Sequence, residues 1–173
     1  MSSAATGDLD GDGDQEAVIG SDDGNVYCLS SSSGSLRWKS RLGGPVRGSA
    51  ALADLDSDGK REVLIGTPWI SSGTMLALDG ESGQARWQFP TGGSLVSSPA
   101  IGDVDGDGRP EIIFGSGDGR VYCLNADGTL RWKTNLNSPI YSSPALAQRG
   151  SERRLDVYIV SYAGYLTLLR GDN

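Results

Sequence analysis

Apolar residues along this chain come in short runs of four to six, each closed by Gly, Asp, Asn or Ser. Glu111-Ile112-Ile113-Phe114-Gly115-Ser116, Val121-Tyr122-Cys123-Leu124 and Leu130-Arg131-Trp132-Lys133 are three such runs in sequence. Their length and their β-branched and aromatic content predict strands joined by tight turns. Asp23-Gly24, Asp118-Gly119 and Asp127-Gly128 predict hairpin turns, because those positions need residues that tolerate positive φ. No long apolar face at helical period is present, so the predicted class is all-β.

The runs repeat. Asp8, Asp54 and Asp103 open the same phrase at spacings of 46 and 49 residues, and Trp38, Trp87 and Trp132 recur at 49 and 45. Four short antiparallel strands per repeat of about 45 residues is the unit of a β-propeller blade. The expected blades cover about 1–46, 47–94, 95–140 and 141–173, within a single propeller segment. The second carries three extra residues in its middle hairpin, around Trp69. The fourth opens at Ser142-Ser143-Pro144-Ala145 and runs through Leu166-Thr167-Leu168-Leu169, with no tryptophan-bearing outer strand. The pattern is three complete blades and a fourth lacking its last strand.

Three acidic loops stand between the first and second predicted strands. They read Asp8-Leu9-Asp10-Gly11-Asp12-Gly13-Asp14-Gln15-Glu16, Asp54-Leu55-Asp56-Ser57-Asp58-Gly59-Lys60-Arg61-Glu62 and Asp103-Val104-Asp105-Gly106-Asp107-Gly108-Arg109-Pro110-Glu111. All have carboxylates at positions one, three, five and nine, and Gly at six. Hard cations such as Ca²⁺ take six to eight oxygen ligands from carboxylates, carbonyls and water. The expected ligands are the four carboxylates of each loop together with position seven (Asp14, Lys60 or Arg109) through its carbonyl, giving three Ca²⁺ sites per chain. Turn formation alone explains one such loop but not three of identical spacing. An EF-hand needs its closing acid at position twelve between helices, and here the acid is at nine before a strand. In the fourth copy the corresponding residues are Gln148, Gly150, Glu152 and Asp156, too few carboxylates for a tight site.

Composition narrows the chemistry. Glycine, at 26 residues, is about twice its average usage, as frequent turns require. The net charge of −7 argues against a nucleic-acid groove. No apolar stretch approaches the length of a membrane helix, so no membrane insertion is expected. There is no histidine, which removes the usual general base. Cys28 and Cys123 lie in equivalent Val-Tyr-Cys-Leu runs and read as buried small hydrophobes.

The acidic loops resemble the FG-GAP repeats of integrin α-chain propellers and of many bacterial and archaeal surface proteins. The Ser-Ser-Pro-Ala opening and the Asp-Gly-x-x-Arg-Trp-Lys strand resemble the PQQ-type propeller repeat equally well. Glu at position nine departs from the integrin pattern, where Asp is common. The resemblance covers essentially the whole chain and implies a calcium-stabilised interaction scaffold rather than an enzyme. PQQ-dependent dehydrogenases use a vicinal cysteine pair, which this chain lacks.

The expected function is therefore a non-catalytic calcium-binding propeller scaffold for protein or glycan contact, extracellular or at the cell surface, with the periplasm as a further site. The alternative is a fragment of a quinone-dependent dehydrogenase or another propeller enzyme. An arc of about four blades leaves apolar faces open. The expected partners are a second copy closing a ring, or further blades of a larger or dissected propeller. Trp38, Trp87 and Trp132 are expected between blades. Trp69, out of register, is the candidate ligand-contacting aromatic. Arg170-Gly171-Asp172 matches an integrin-recognised tripeptide only by chance.

Overall fold

The computed structural model describes residues 2–68 and 72–171, and these described residues form fifteen strands and no helix. Trp69 and Asp172 lie outside the described residues. β1 (Ala5–Gly7), β2 (Glu16–Gly20), β3 (Asn25–Ser30) and β4 (Leu36–Arg41) form the first antiparallel sheet in simple order. β5 (Ala51–Ala53), β6 (Glu62–Pro68), β7 (Gly73–Leu78) and β8 (Ala85–Thr91) form the second. β9 (Ala100–Gly102), β10 (Glu111–Gly115), β11 (Arg120–Leu124) and β12 (Leu130–Asn135) form the third. The fourth has β13 (Ala145–Gln148), β14 (Leu155–Val160) and β15 (Leu166–Leu169) and, among the described residues, no outer strand. The all-β reading stands, with hairpins built where the sequence predicts them. Gly24, Gly119 and Gly128 have φ of 86°, 84° and 83°.

Alternation along each strand sends one set of side chains to the preceding sheet and the other to the following one. Val18, Val26 and Cys28 meet Val63, Ile65, Leu76 and Leu78 across the first junction. Leu64, Met75 and Ala77 meet Ile112, Phe114, Tyr122 and Leu124 across the second. Ile113, Val121 and Cys123 meet Val157, Ile159 and Leu169 across the third. No core cluster of described residues joins the fourth sheet to the first, so the four sheets form an open arc. Burial records this directly. In β6 and β10, covered on both faces, nearly every residue is buried, whereas β2 alternates between buried and half-buried and β14 exposes Tyr158 and Val160.

Two devices lock each junction. The tryptophan of each outer strand reaches into the next sheet, where its indole N–H donates to a turn carbonyl: Trp38 to Gly80 (2.7 Å), Trp87 to Ala126 (3.0 Å) and Trp132 to Gly171 (3.0 Å). The second device uses a glycine at or near the end of each second strand. The segment entering the next sheet lays Val46, Leu95 or Ile140 against Gly20, Gly66 or Gly115. The N–H of the same residue donates to the residue after the glycine, Ser21 (2.9 Å), Thr67 (3.2 Å) or Ser116 (3.0 Å). In the fourth sheet the residue in this register is Val160, paired with Leu166 as Gly115 is with Val121. The apolar outer face of that sheet, with Leu166 and Leu168, is exposed.

A Cβ on Gly66 would stand 2.7 Å from the Leu95 Cβ. Gly66→Ala should therefore destabilise the chain by about 1–3 kcal/mol through overpacking, read as a lowered urea midpoint. An unchanged midpoint would show that this junction is loose.

Candidate metal centres

Each acidic loop is a backbone curl organised by its own first aspartate. Asp8 accepts hydrogen bonds from the N–H groups of Gly11 (2.7 Å) and Gly13 (3.0 Å), and Asp103 does the same for Gly106 (2.6 Å) and Gly108 (2.9 Å). Asp54 accepts from Asp58 (3.2 Å) and Gly59 (2.9 Å). The glycine at position six has φ near 90° in all three loops (Gly13 90°, Gly59 86°, Gly108 89°), a conformation costly for a side chain. The glutamate at position nine is the first residue of the second strand and is buried in each loop. One carboxylate oxygen accepts the N–H of the apolar residue at position two: Glu16 from Leu9 (3.1 Å), Glu62 from Leu55 (2.9 Å) and Glu111 from Val104 (2.9 Å). Leu9, Leu55 and Val104 are themselves core residues, so each loop is pinned to the blade junction.

The second glutamate oxygen faces the loop. Ligand atoms of Asp8, Asp10 and Glu16 lie within 4.8 Å of one another, as do those of Asp103, Asp105 and Glu111. In the second loop the converging set is Asp54, Asp56 and Asp58, without Glu62. Asp12, Asp14 and Asp107 stand exposed with their carboxylates outside these sets; at position seven Arg109 is exposed and Lys60 is half-buried, its ammonium on Glu81 (2.6 Å). Glu16 is 2% exposed, and its Oε1 has no hydrogen-bond partner. An anionic oxygen in that state carries a desolvation cost that a bound cation would offset. In the fourth sheet the corresponding turn is closed differently, by the Gln148 amide donating to the Glu152 carbonyl (2.7 Å).

The sequence reading missed the arginines. Arg37, Arg86 and Arg131 precede the three tryptophans, and each pairs with the position-three aspartate: Arg37 with Asp10, Arg86 with Asp56 (2.7 Å) and Arg131 with Asp105. Their reach comes from a β-bulge. The register of each outer strand jumps from Cys28↔Trp38 to Leu29↔Leu36, from Ala77↔Trp87 to Leu78↔Ala85, and from Cys123↔Trp132 to Leu124↔Leu130. The arginine is the extra residue each time. A bulge re-aims the side chain it displaces, here across the sheet end into the acidic loop. The available signal was an arginine at the same register in all three copies.

Between the second and third loops lies a cleft of about 740 Å³, with Asp56, Glu62 and Arg86 on one side and Asp107, Arg109 and Glu111 on the other. Cys28 and Cys123 are free, buried in different sheets, with thiols pushed up to about 12 by burial.

This arrangement of sheets and loops has known counterparts. The PQQ-type family model described as outer membrane protein assembly factor BamB matches residues 2–169. The chain belongs to this BamB family. The match supports the PQQ-type side of the resemblance seen in the sequence. BamB from Moraxella catarrhalis superposes with a TM-score of 0.72 at 24% identity, over 98% of this chain and 46% of that one. The quinohemoprotein alcohol dehydrogenase of Comamonas testosteroni gives 0.73 at 15% identity, over 91% of this chain and 32% of its own. The computationally designed Ika4 protein gives 0.67 at 14% identity, over 90% of this chain and 84% of that one. No match is found among curated proteins. The chain thus spans less than half of the Moraxella BamB and about a third of the dehydrogenase, and these likenesses concern the fold.

Burial raises the Glu111 carboxyl to about 6, against the Val104 N–H and Arg131, and it raises Glu62 for the same reason. A carboxyl raised on folding holds its proton longer in the folded chain than in the unfolded one, whose ordinary value is 4.5. The corresponding stability is present below that value and is lost as pH rises through about 6. In cation-free buffer, urea unfolding should give higher stability at pH 5 than at pH 7, by about 1–2 kcal/mol. Glu111→Gln should remove most of the difference. A flat wild-type profile would show that the burial of Glu62 and Glu111 carries no such cost.

Proposed function

We propose that this chain is a non-catalytic interaction scaffold: an arc of BamB-like blades whose acidic loops are calcium clasps and whose open faces associate with protein. The observation that carries the calcium reading is Glu16 Oε1, buried beside Asp8 and Asp10 without a hydrogen-bond partner. An all-oxygen donor set on a curled loop suits a hard divalent cation rather than zinc, which prefers nitrogen and sulfur. Asp8, Asp10 and Glu16 would hold the ion in the first loop, and Asp103, Asp105 and Glu111 in the third. The ion would supply positive charge and fix the first hairpin against the second strand. Such sites suit a compartment with abundant calcium. That favours the cell surface or periplasm, consistent with a family described as an outer membrane protein assembly factor.

The association reading rests on the two ends of the arc. The fourth sheet exposes Tyr158, Val160, Leu166 and Leu168. At the other end, the Tyr27 hydroxyl donates to Asp23 (2.6 Å), repeating the Tyr122–Asp118 pair (2.6 Å) of the third sheet. There Asp118 also accepts the Gly92 N–H of the preceding sheet (3.2 Å), so this pair is a seat for a neighbouring blade. A receiving face and an uncovered apolar face on one chain favour head-to-tail pairing of two copies into a closed ring. A protein or glycan ligand would then meet the assembled rim. The dehydrogenase alternative draws only on likeness of fold, and the two cysteines lie in separate sheets.

Calcium added to chelator-treated protein should raise the thermal midpoint by roughly 5 °C or more at a hundredfold excess over Kd, and Glu16→Gln should reduce the gain. A midpoint indifferent to both calcium and chelator would refute the clasp. Light scattering should give twice the chain mass, and Leu168→Asp should return it to the monomer with the fold intact. A strict wild-type monomer would refute pairing.

A further inference from the structure

The three loops share a sequence pattern, but their arginines do not sit alike. In the second loop, Arg86 Nη1 lies 2.7 Å from both Asp56 Oδ2 and Glu62 Oε1, between the two carboxylates. Its Nη2 lies 3.5 Å from Asp79 and 3.9 Å from Asp58. Four carboxylates therefore surround one guanidinium. In the first loop, Arg37 pairs with Asp10 but stands 3.7 Å from Glu16 Oε1, which keeps no hydrogen bond. In the third, Arg131 pairs with Asp105 and stands 3.9 Å from Glu111 Oε1.

The cause of the difference lies outside the loops. Two residues beyond the partner of each tryptophan come Ser30, Asp79 and Asn125, at the turn into the outer strand. Only the second turn places a carboxylate there. Asn125 offers Arg131 a neutral amide oxygen at 3.3 Å, whereas Asp79 offers Arg86 a full charge. The second loop also has Ser57 at position four, with φ of 63°, where the others have Gly11 and Gly106. Its first aspartate accordingly bonds the N–H of position five rather than four.

From these contacts we infer that the second loop is closed by Arg86 in place of a metal ion, so that the chain takes two calcium ions, at the first and third loops, and that Asp79 sets the difference. This rests on the calcium reading above and refines it. A divalent cation entering the second loop must displace a guanidinium held by two short ion pairs with a further carboxylate behind it. The same cation entering the first loop displaces Arg37 from one close carboxylate, Asp10, and meets a buried glutamate oxygen still without a hydrogen bond. Charge-assisted pairs of arginine with carboxylates are among the stronger hydrogen bonds, and Arg86 makes them with a glutamate that is 1% exposed.

Calorimetric titration of chelator-stripped protein with calcium chloride tests this. The wild type should bind two ions per chain. Asp10→Asn and Asp105→Asn should each remove one, while Asp56→Asn should leave two. Asp79→Asn should add a third, weaker site, with circular dichroism confirming an unchanged strand signal. Three ions in the wild type, or loss of one in Asp56→Asn, would overturn the arginine closure and leave the calcium reading standing. No binding at all would overturn the calcium reading itself. A stoichiometry still of two in a folded Asp79→Asn variant would overturn the role given to Asp79.

Discussion

Every sheet in this chain is apolar on both faces, and none can bury both by itself. That constraint organises the molecule. Burial of apolar surface drives sheet against sheet, and the alternation of side chains along a strand means that each sheet needs two neighbours. The second and third sheets have them, and their middle strands are buried almost throughout. The first and fourth have one each, and the uncovered faces are visible as half-buried or exposed apolar residues. Close approach at each junction depends on a glycine at or near the end of the second strand, which admits a valine, leucine or isoleucine from the following segment. Val160 breaks that pattern, so the outer face of the fourth sheet has a different contour from the three internal ones.

The acidic loops are consequences of the same packing. Their second residue is a core plug, and its N–H holds one oxygen of the closing glutamate. The glutamate is thereby buried at the junction's edge with one oxygen turned toward the aspartates. Burial makes that oxygen costly without a positive charge beside it. Two sources of charge fit such a site, the cation proposed above or the bulged arginine of the outer strand, which stands at a different distance from the glutamate in each loop.

The loops are also tied to the architecture of the arc. The bulge that aims the arginine adjoins the tryptophan that reaches the next blade, so one short segment of the outer strand serves both the junction and the acidic loop. Whatever fills a loop therefore bears on how firmly neighbouring blades are held. Under the proposed scaffold reading, the chain would act through its open faces and its clasps.

Much of this was legible in the sequence. The 45–49-residue recurrence of Asp8, Asp54 and Asp103 and of the three tryptophans determined strands, hairpins and blade-like sheets, because short-range turn chemistry and period-two alternation are local properties. The carboxylate spacing likewise marked out the acidic loops. What it could not give was which carboxylates converge: the N–H of Leu9, Leu55 or Val104 holds one glutamate oxygen in all three loops, while the arginine approaches the other to different distances. Nor could it place Arg37, Arg86 and Arg131 at those loops, because a one-residue bulge redirects a side chain without leaving a mark in composition. The difference between Asp79 and its counterparts Ser30 and Asn125 gained meaning only once the turn was folded against the arginine. Local pattern determined the elements and the candidate ligands; the packing of strands across each sheet decided which charges face one another.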